Sequence, residues 1–189
     1  MPVTINGDGS IAGLTAGGLP SGALTGAIPT STLPAGSIIQ CITDTTSAKV
    51  TNQTTSYVDT GLLVTMTPRA ANSKFFAICD IHFFVDFGGT GSNNPHGLGY
   101  NLYKDGTRFT TSLYDGSAGE SNENPYDYYT DGDSRTNYRF QKQGQGTFGS
   151  TSAAAFTVKF KGYNGSPLVQ MHLTANQTQA QLTVMEIAV

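Results

Sequence analysis

The sequence has no tryptophan, two cysteines and few charges: Asp, Glu, Lys and Arg make up 12% of its 189 residues. That is about half the charged fraction of an ordinary soluble domain. Intrinsic disorder is disfavoured, because it pairs low hydrophobicity with high net charge. Two cysteines are too few for a disulfide framework or a cysteine zinc site. Cys41 and Cys79 both stand in apolar, strand-like runs, which favours two buried free thiols over a bridge between neighbouring strands. A net charge of −3 and ten scattered Lys and Arg provide no basic stripe for displacing counterions, so no nucleic-acid partner is expected. No apolar run is long enough to cross a bilayer as a helix, and no membrane insertion is expected. Near the N-terminus there is no basic leader, and Gly and Pro interrupt any apolar run before a secretory core forms. Synthesis in a cytoplasm is therefore expected.

What is present divides the chain in two. Residues 1–36 read as an extended arm, and no charged side chain occurs between Asp8 and Asp44. Leu14, Leu19, Leu24, Ile28 and Leu33 recur at a spacing of five, once four, which fits neither helix nor strand. Pro follows at Leu19-Pro20, Ile28-Pro29 and Leu33-Pro34 and forces extended geometry on the residue before it. Such a string cannot bury its own aliphatic groups. It is expected to lodge them in a partner, each contributing roughly 1.5–3 kcal/mol when fully covered against about 1–2 kcal/mol of backbone ordering per residue.

Residues 37–189 read as a β-domain rich in Gly, Thr and Ser. A strand over Ser37–Ile42 opens it, and Leu62, Val64 and Met66 alternate with Leu63, Thr65 and Thr67 up to Pro68. In the run from Lys74 to Phe87, the residues Phe75, Ala77, Cys79, Ile81, Phe83, Val85 and Phe87 share one face. The opposite face, Phe76, Ile78, Asp80, His82, Phe84 and Asp86, is mixed, and is expected to meet a loop or a neighbouring subunit. Asp105-Gly106 between two β-prone runs predicts a hairpin. Further strands are predicted near Tyr138–Lys142 and over Ala153–Lys161, Leu168–Thr174 and Ala180–Ala188. Turns are placed at Asn164-Gly165 and at Ala175–Gln177. Eight to ten strands without helical periodicity predict an all-β, jelly-roll-like antiparallel sandwich with an extended N-terminal arm.

Catalytic chemistry has no footing in this pattern. There is no Gly-x-Ser-x-Gly elbow, and His82, His96 and His172 lack ligand spacing. His82 and His172 fall in strand patterns and are expected to be satisfied sheet residues. No enzyme activity and no cofactor are expected. The segment Asp115–Asp133 stands apart: Asp115, Glu120, Glu123, Asp127, Asp131 and Asp133 are nearly half of the 13 acids. Tyr126, Tyr128 and Tyr129 interleave with them. A solvated surface loop, a recognition surface built on exposed Tyr and a calcium site on Asp127, Asp131 and Asp133 all fit, though the spacing is not that of an EF-hand. A carboxylate pair for glycan hydrolysis is a fourth, weaker reading.

The run Thr55-Ser56-Tyr57-Val58-Asp59-Thr60-Gly61-Leu62-Leu63-Val64-Thr65-Met66-Thr67-Pro68, followed by Ala71-Asn72-Ser73-Lys74-Phe75, resembles the start of a β-sandwich module of tailed-phage virion proteins, especially those of aquatic and cyanobacterial phages. The hairpin Leu102-Tyr103-Lys104-Asp105-Gly106-Thr107 and the closing strand Ala180–Ile187 continue the likeness. The leader running into Gly36-Ser37-Ile38-Ile39-Gln40 is similar to phage fibre and decoration proteins. The resemblance spans about residues 30–189 and implies homotrimers on the outer surface of a virion. Capsid decoration is the first expectation, with Leu14, Leu19, Leu24, Ile28 and Leu33 anchoring the arm on the major capsid protein or another virion protein. A short tail or head fibre is the second, with Glu123, Tyr126, Asp127, Tyr128, Tyr129 and Asp131 as a recognition loop for a host-surface glycan. A lectin-like glycan-binding module is the third.

Overall fold

The structure, a computed structural model, describes residues 4–5, 11–12, 33–86, 96–109, 126–127, 135–163, 168–171 and 179–189. The chain divides into two compact units, Met1–Leu33 and Pro34–Val189. In the first, β1 (Thr4–Ile5) pairs antiparallel with β2 (Ile11–Ala12). Leu14, Leu19, Leu24 and Ile28 lie outside the described residues.

The second unit contains β3 (Ile38–Thr46), β4 (Val50–Asn52), β5 (Val58–Met66), β6 (Lys74–Asp86), β7 (His96–Lys104) and β8 (Thr107–Arg108). It continues with β9 (Tyr126–Asp127), β10 (Arg135–Thr147), β11 (Ala154–Tyr163), β12 (Leu168–Met171) and β13 (Ala180–Ile187). No helix occurs among the described residues. Period-two alternation explains the strands directly. In β5, Thr60, Leu62, Val64 and Met66 are buried while Asp59, Gly61, Leu63 and Thr65 are exposed.

Pairing arranges these strands in two antiparallel sheets packed face to face. One runs β3-β13-β6-β10, and the far half of β6 also carries β12 and then β4. The other runs β5-β11-β7, with β8 and β9 sharing the remaining edge of β7. The chain crosses between the sheets in jelly-roll order. Taking β3, β5, β6, β7, β8 with β9, β10, β11 and β13 in turn, one sheet reads first, eighth, third, sixth, and the other second, seventh, fourth, fifth.

The inward faces interdigitate around phenylalanine. Phe75 meets Phe109, Phe148 and Phe156 edge-on at centroid distances of 4.9, 5.5 and 5.1 Å, the arrangement ring quadrupoles prefer. The predicted inward face of β6 holds from Phe75 to Phe83, all buried in the core. The Val85 side chain and Phe87 lie outside the described residues. Asp105 and Gly106 take φ of 51° and 76°, the two left-handed residues of a tight hairpin turn. The Asp105 carboxylate also accepts the Ala155 N–H at 2.9 Å.

Three expectations need correction. The strand placed near Tyr138–Lys142 extends over Arg135–Thr147, because Gly144 and Gly146 are packing positions rather than breakers. A Cβ at Gly144 would lie 2.9 Å from the Phe109 ring, and one at Gly146 would lie 2.6 Å from the Phe75 ring. The short strands β4 and β9 were not anticipated. Of the two thiols, Cys79 is buried and free, but Cys41 is free and exposed. Cys41 faces outward on β3, and β13 separates that strand from β6, so two strand spacings of about 4.8 Å each put a bridge out of reach.

Side chains close the open edges of the sandwich. Asp44 of β3 accepts the Leu63 N–H of β5 at 2.8 Å. On the opposite side, Lys142 of β10 donates to the Tyr100 carbonyl and to Asn101 Oδ1 at 2.9 and 2.8 Å. Its ammonium also lies 5.1 Å from the centre of the Tyr100 ring. Edge polar groups met by charges in this way do not invite a further strand.

Candidate interaction surface

The outward face of the sheet β3-β13-β6-β10 carries the features that solvation alone does not account for. Strand register lays its side chains in rows. Cys41, Met185, Phe76 and Gln145 form one row, and Thr43, Thr183, Ile78 and Gln143 the next. Thr45, Gln181, Asp80 and Gln141 form a third, while Ile38, Ile187, Lys74 and Thr147 border the first. Ile38 is 58% exposed, Cys41 is exposed, and Phe76, Ile78, Met185 and Ile187 are half-buried. The two central rows hold no charge. Thr43 and Thr183 share a hydroxyl bond at 2.9 Å, and Gln181 donates to Thr183 at the same distance. Covering each half-exposed aliphatic or aromatic group would contribute roughly 1 kcal/mol.

Charge appears at the other end of the face. Arg139 of β10 clamps Asp80 of β6, its Nε donating to both carboxylate oxygens at 2.9 and 3.1 Å and its Nη2 to Oδ2 at 2.5 Å. The Gln141 amide adds a bond at 3.4 Å. Hydrogen bonding from Arg139 holds the Asp80 carboxyl below the usual carboxylate range. Across the strand from Arg139, His82 contradicts the expectation of a satisfied sheet residue: its buried Nδ1 has no hydrogen-bond partner among the described residues.

Beneath the apolar end lies a carboxylate that the sequence reading missed. Glu186 faces inward on β13 and is fully buried. It accepts from the backbone of Arg69 and Ala70 at 2.8 and 3.4 Å, from Ser73 Oγ at 2.5 Å and from Gln40 Nε2 at 2.6 Å. Gln40 in turn donates to the Thr67 carbonyl at 2.8 Å. The β5–β6 turn is thus fastened to β3 and β13, which fixes the rows above it. An acid at an inward register position, after Leu182 and Val184, was the available signal.

Of the arm residues, Leu33 alone is described, half-buried at the end of the first unit. Tyr126 and Asp127 form β9, their backbones opposite Gly97 and His96 of β7. Glu123, Tyr128, Tyr129, Asp131 and Asp133 lie outside the described residues, as does His172. Of the residues named for the recognition loop and the calcium reading, the described part is the β9 backbone on the edge of β7. Among the described residues no three His, Cys, Asp or Glu side chains converge as metal ligands.

Neither the protein-family models nor the curated proteins searched match this chain. The functional reading therefore rests on the fold and on this surface. Its apolar rows and its Asp80–Arg139 end are two distinct zones on one sheet, and they suit different contacts.

Proposed function

We propose that this chain is a non-enzymatic structural protein of a bacteriophage particle, a homotrimeric capsid-decorating protein on the outer surface of the virion. The observation that carries the reading is the uncharged, half-apolar outward face around Phe76, Ile78 and Met185, on a jelly-roll knob preceded by a charge-free Leu- and Ile-bearing segment. An uncharged sheet face suits packing against a like knob, since no like charges meet across the symmetry axis. The arm suits attachment to the major capsid protein, where repetition over a lattice multiplies contacts that are individually weak. The sequence likeness to tailed-phage virion modules points the same way.

Locating the protein in purified particles tests this directly. Hundreds of copies on the capsid lattice are expected; a few tens or fewer, at the tail, would sink the decoration reading. Deleting residues 1–36 is expected to leave a folded knob that no longer joins particles, and normal incorporation would refute the anchoring role. A short fibre is the second reading. The observation that favours it is the acidic, Tyr-rich segment between β8 and β10, which contains no Lys or Arg and is tied to the edge of β7 through β9.

A further inference from the structure

The methionines among the described residues divide by exposure. Met66 and Met171 belong to the core and are 0% exposed. Met185 is half-buried on the outward face of β13. Register sets it within the uncharged rows: Cys41 stands opposite it on β3 and Phe76 opposite it on β6, while Thr183 and Ile187 flank it on the same face of its own strand. From this placement we infer that Met185 is an oxidative modification site, at which one oxygen added to the sulfur by a hydroperoxide keeps copies of the knob from packing on this face. The inference rests on the contact between copies proposed for the face, and names its regulation.

A thioether needs no deprotonation to react, so access governs its oxidation. The sulfur lone pair attacks the terminal oxygen of the hydroperoxide and the O–O bond breaks. The sulfur is oxidised to the sulfoxide, and the peroxide is reduced to water or an alcohol. In the free knob this costs the fold little, because the Met185 side chain already meets solvent and water serves the new oxygen. Its neighbours on the face cannot serve it once water is excluded. Phe76 and Ile187 have no donor, and a thiol such as Cys41 is a weak one. The Thr183 hydroxyl is already engaged with Thr43 and Gln181, each at 2.9 Å. A strong acceptor left without a partner in a closed contact opposes that contact. The absence of charge that suits these rows to self-packing is what makes one polar atom among them decisive. A leucine at this register fills a similar volume without that liability.

The test uses the full-length chain carrying Cys41→Ser, which removes the neighbouring thiol from the reaction. Dilute protein is treated with hydrogen peroxide, the added oxygen is located by peptide mass spectrometry, and association is followed by sedimentation before and after. Met185 is expected to be oxidised in the folded protein, while Met66 and Met171 react only after unfolding. The dissociation constant between copies should then rise by about tenfold or more, with unchanged far-ultraviolet circular dichroism. Methionine sulfoxide reductases acting on both sulfoxide epimers should restore it. Met185→Leu, which lacks the oxidisable sulfur, is expected to associate equally well with and without peroxide. The inference is overturned if Met185 is spared while the protein is folded, or if the oxidised chain associates like the untreated one. It is equally overturned if Met185→Leu dissociates under peroxide to the same extent. A chain that is monomeric before any peroxide is added would remove the contact itself and the inference with it, so the two failures are distinguishable.

Discussion

Cys41 and Cys79 carry the same functional group into opposite surroundings, and their reactivity should separate accordingly. Burial pushes the Cys79 thiol up to about 12, and with no thiolate and no access it should be inert to a disulfide reagent in the native state. Cys41 is exposed, so one thiol is expected to titrate rapidly, the second only after unfolding, and Cys41→Ser should abolish the native-state signal. Two rapid thiols would contradict the fold of β6. Glu186 predicts a larger effect. Glu186→Ala leaves two backbone N–H groups, a hydroxyl and an amide without their acceptor, and is expected to cost about 3 kcal/mol in urea denaturation. Glu186→Gln keeps the volume and one acceptor and should cost less. Acid sensitivity follows from Asp80, lowered chiefly by its hydrogen bonds from Arg139, and from Asp105, lowered chiefly by the Ala155 N–H. A depressed folded-state value stabilises fully above the unfolded value of about 3.9, and this contribution is lost as pH falls through the folded value. The thermal midpoint should therefore stay level down to about pH 5 and drop below about pH 4. Asp80→Asn should lower it at neutral pH and make the acid limb shallower.

Strands were legible where alternation was regular and where turn chemistry was explicit. Leu62, Val64 and Met66, the Phe75-to-Phe83 face and the Asp105-Gly106 turn needed only period two and a left-handed pair, all of it local. β10 was not legible at full length, since Gly in a strand reads as a weakness or a breaker. The reason for Gly144 and Gly146 lies in two rings, Phe109 and Phe75, brought from distant parts of the chain. Gly146→Ala would push its Cβ into the Phe75 ring, a buried group with little room to give, and is expected to cost about 1–3 kcal/mol. Adding Phe75→Leu should recover part of that loss, seen as a coupling term in a double-mutant cycle by urea denaturation. Strictly additive costs would mean that the ring does not occupy that place. The short strands β4 and β9 carry two or three residues each, too few for a pattern, and exist only because β12 and β7 offer them an edge. His82 could be read as an outward residue of β6, but the enclosure of its Nδ1 without a hydrogen-bond partner among the described residues depends on packing between strands, which no local signal carries.

At the scale of the molecule, the mixed composition of the outer face of β6 was legible, but the extent of the surface it belongs to was not. Only pairing with β13 and β3 sets Met185, Ile187, Cys41 and Ile38 beside Phe76 and Ile78. This width matters for association, since a single strand of apolar groups is too narrow to hold two copies together, whereas specific interfaces bury about 800 Å² on each partner. If copies of the knob meet on this face, placing carboxylates at its centre must separate them without unfolding either. Ile78→Glu with Met185→Glu does so at two outward, half-exposed positions in neighbouring rows. The solvated monomer accommodates both charges, while an assembled face would bury them without partners, at several kcal/mol per contact. Sedimentation is expected to show an oligomer for the native chain and a monomer for the double variant, with unchanged far-ultraviolet circular dichroism. Salt provides the complementary measurement. The two central rows carry no charge, so the native oligomer should persist from low ionic strength to about 1 M, where exposed ion pairs are screened within about 3 Å. An oligomer that dissolves in salt, or one that survives both glutamates, would place the contact elsewhere on the molecule.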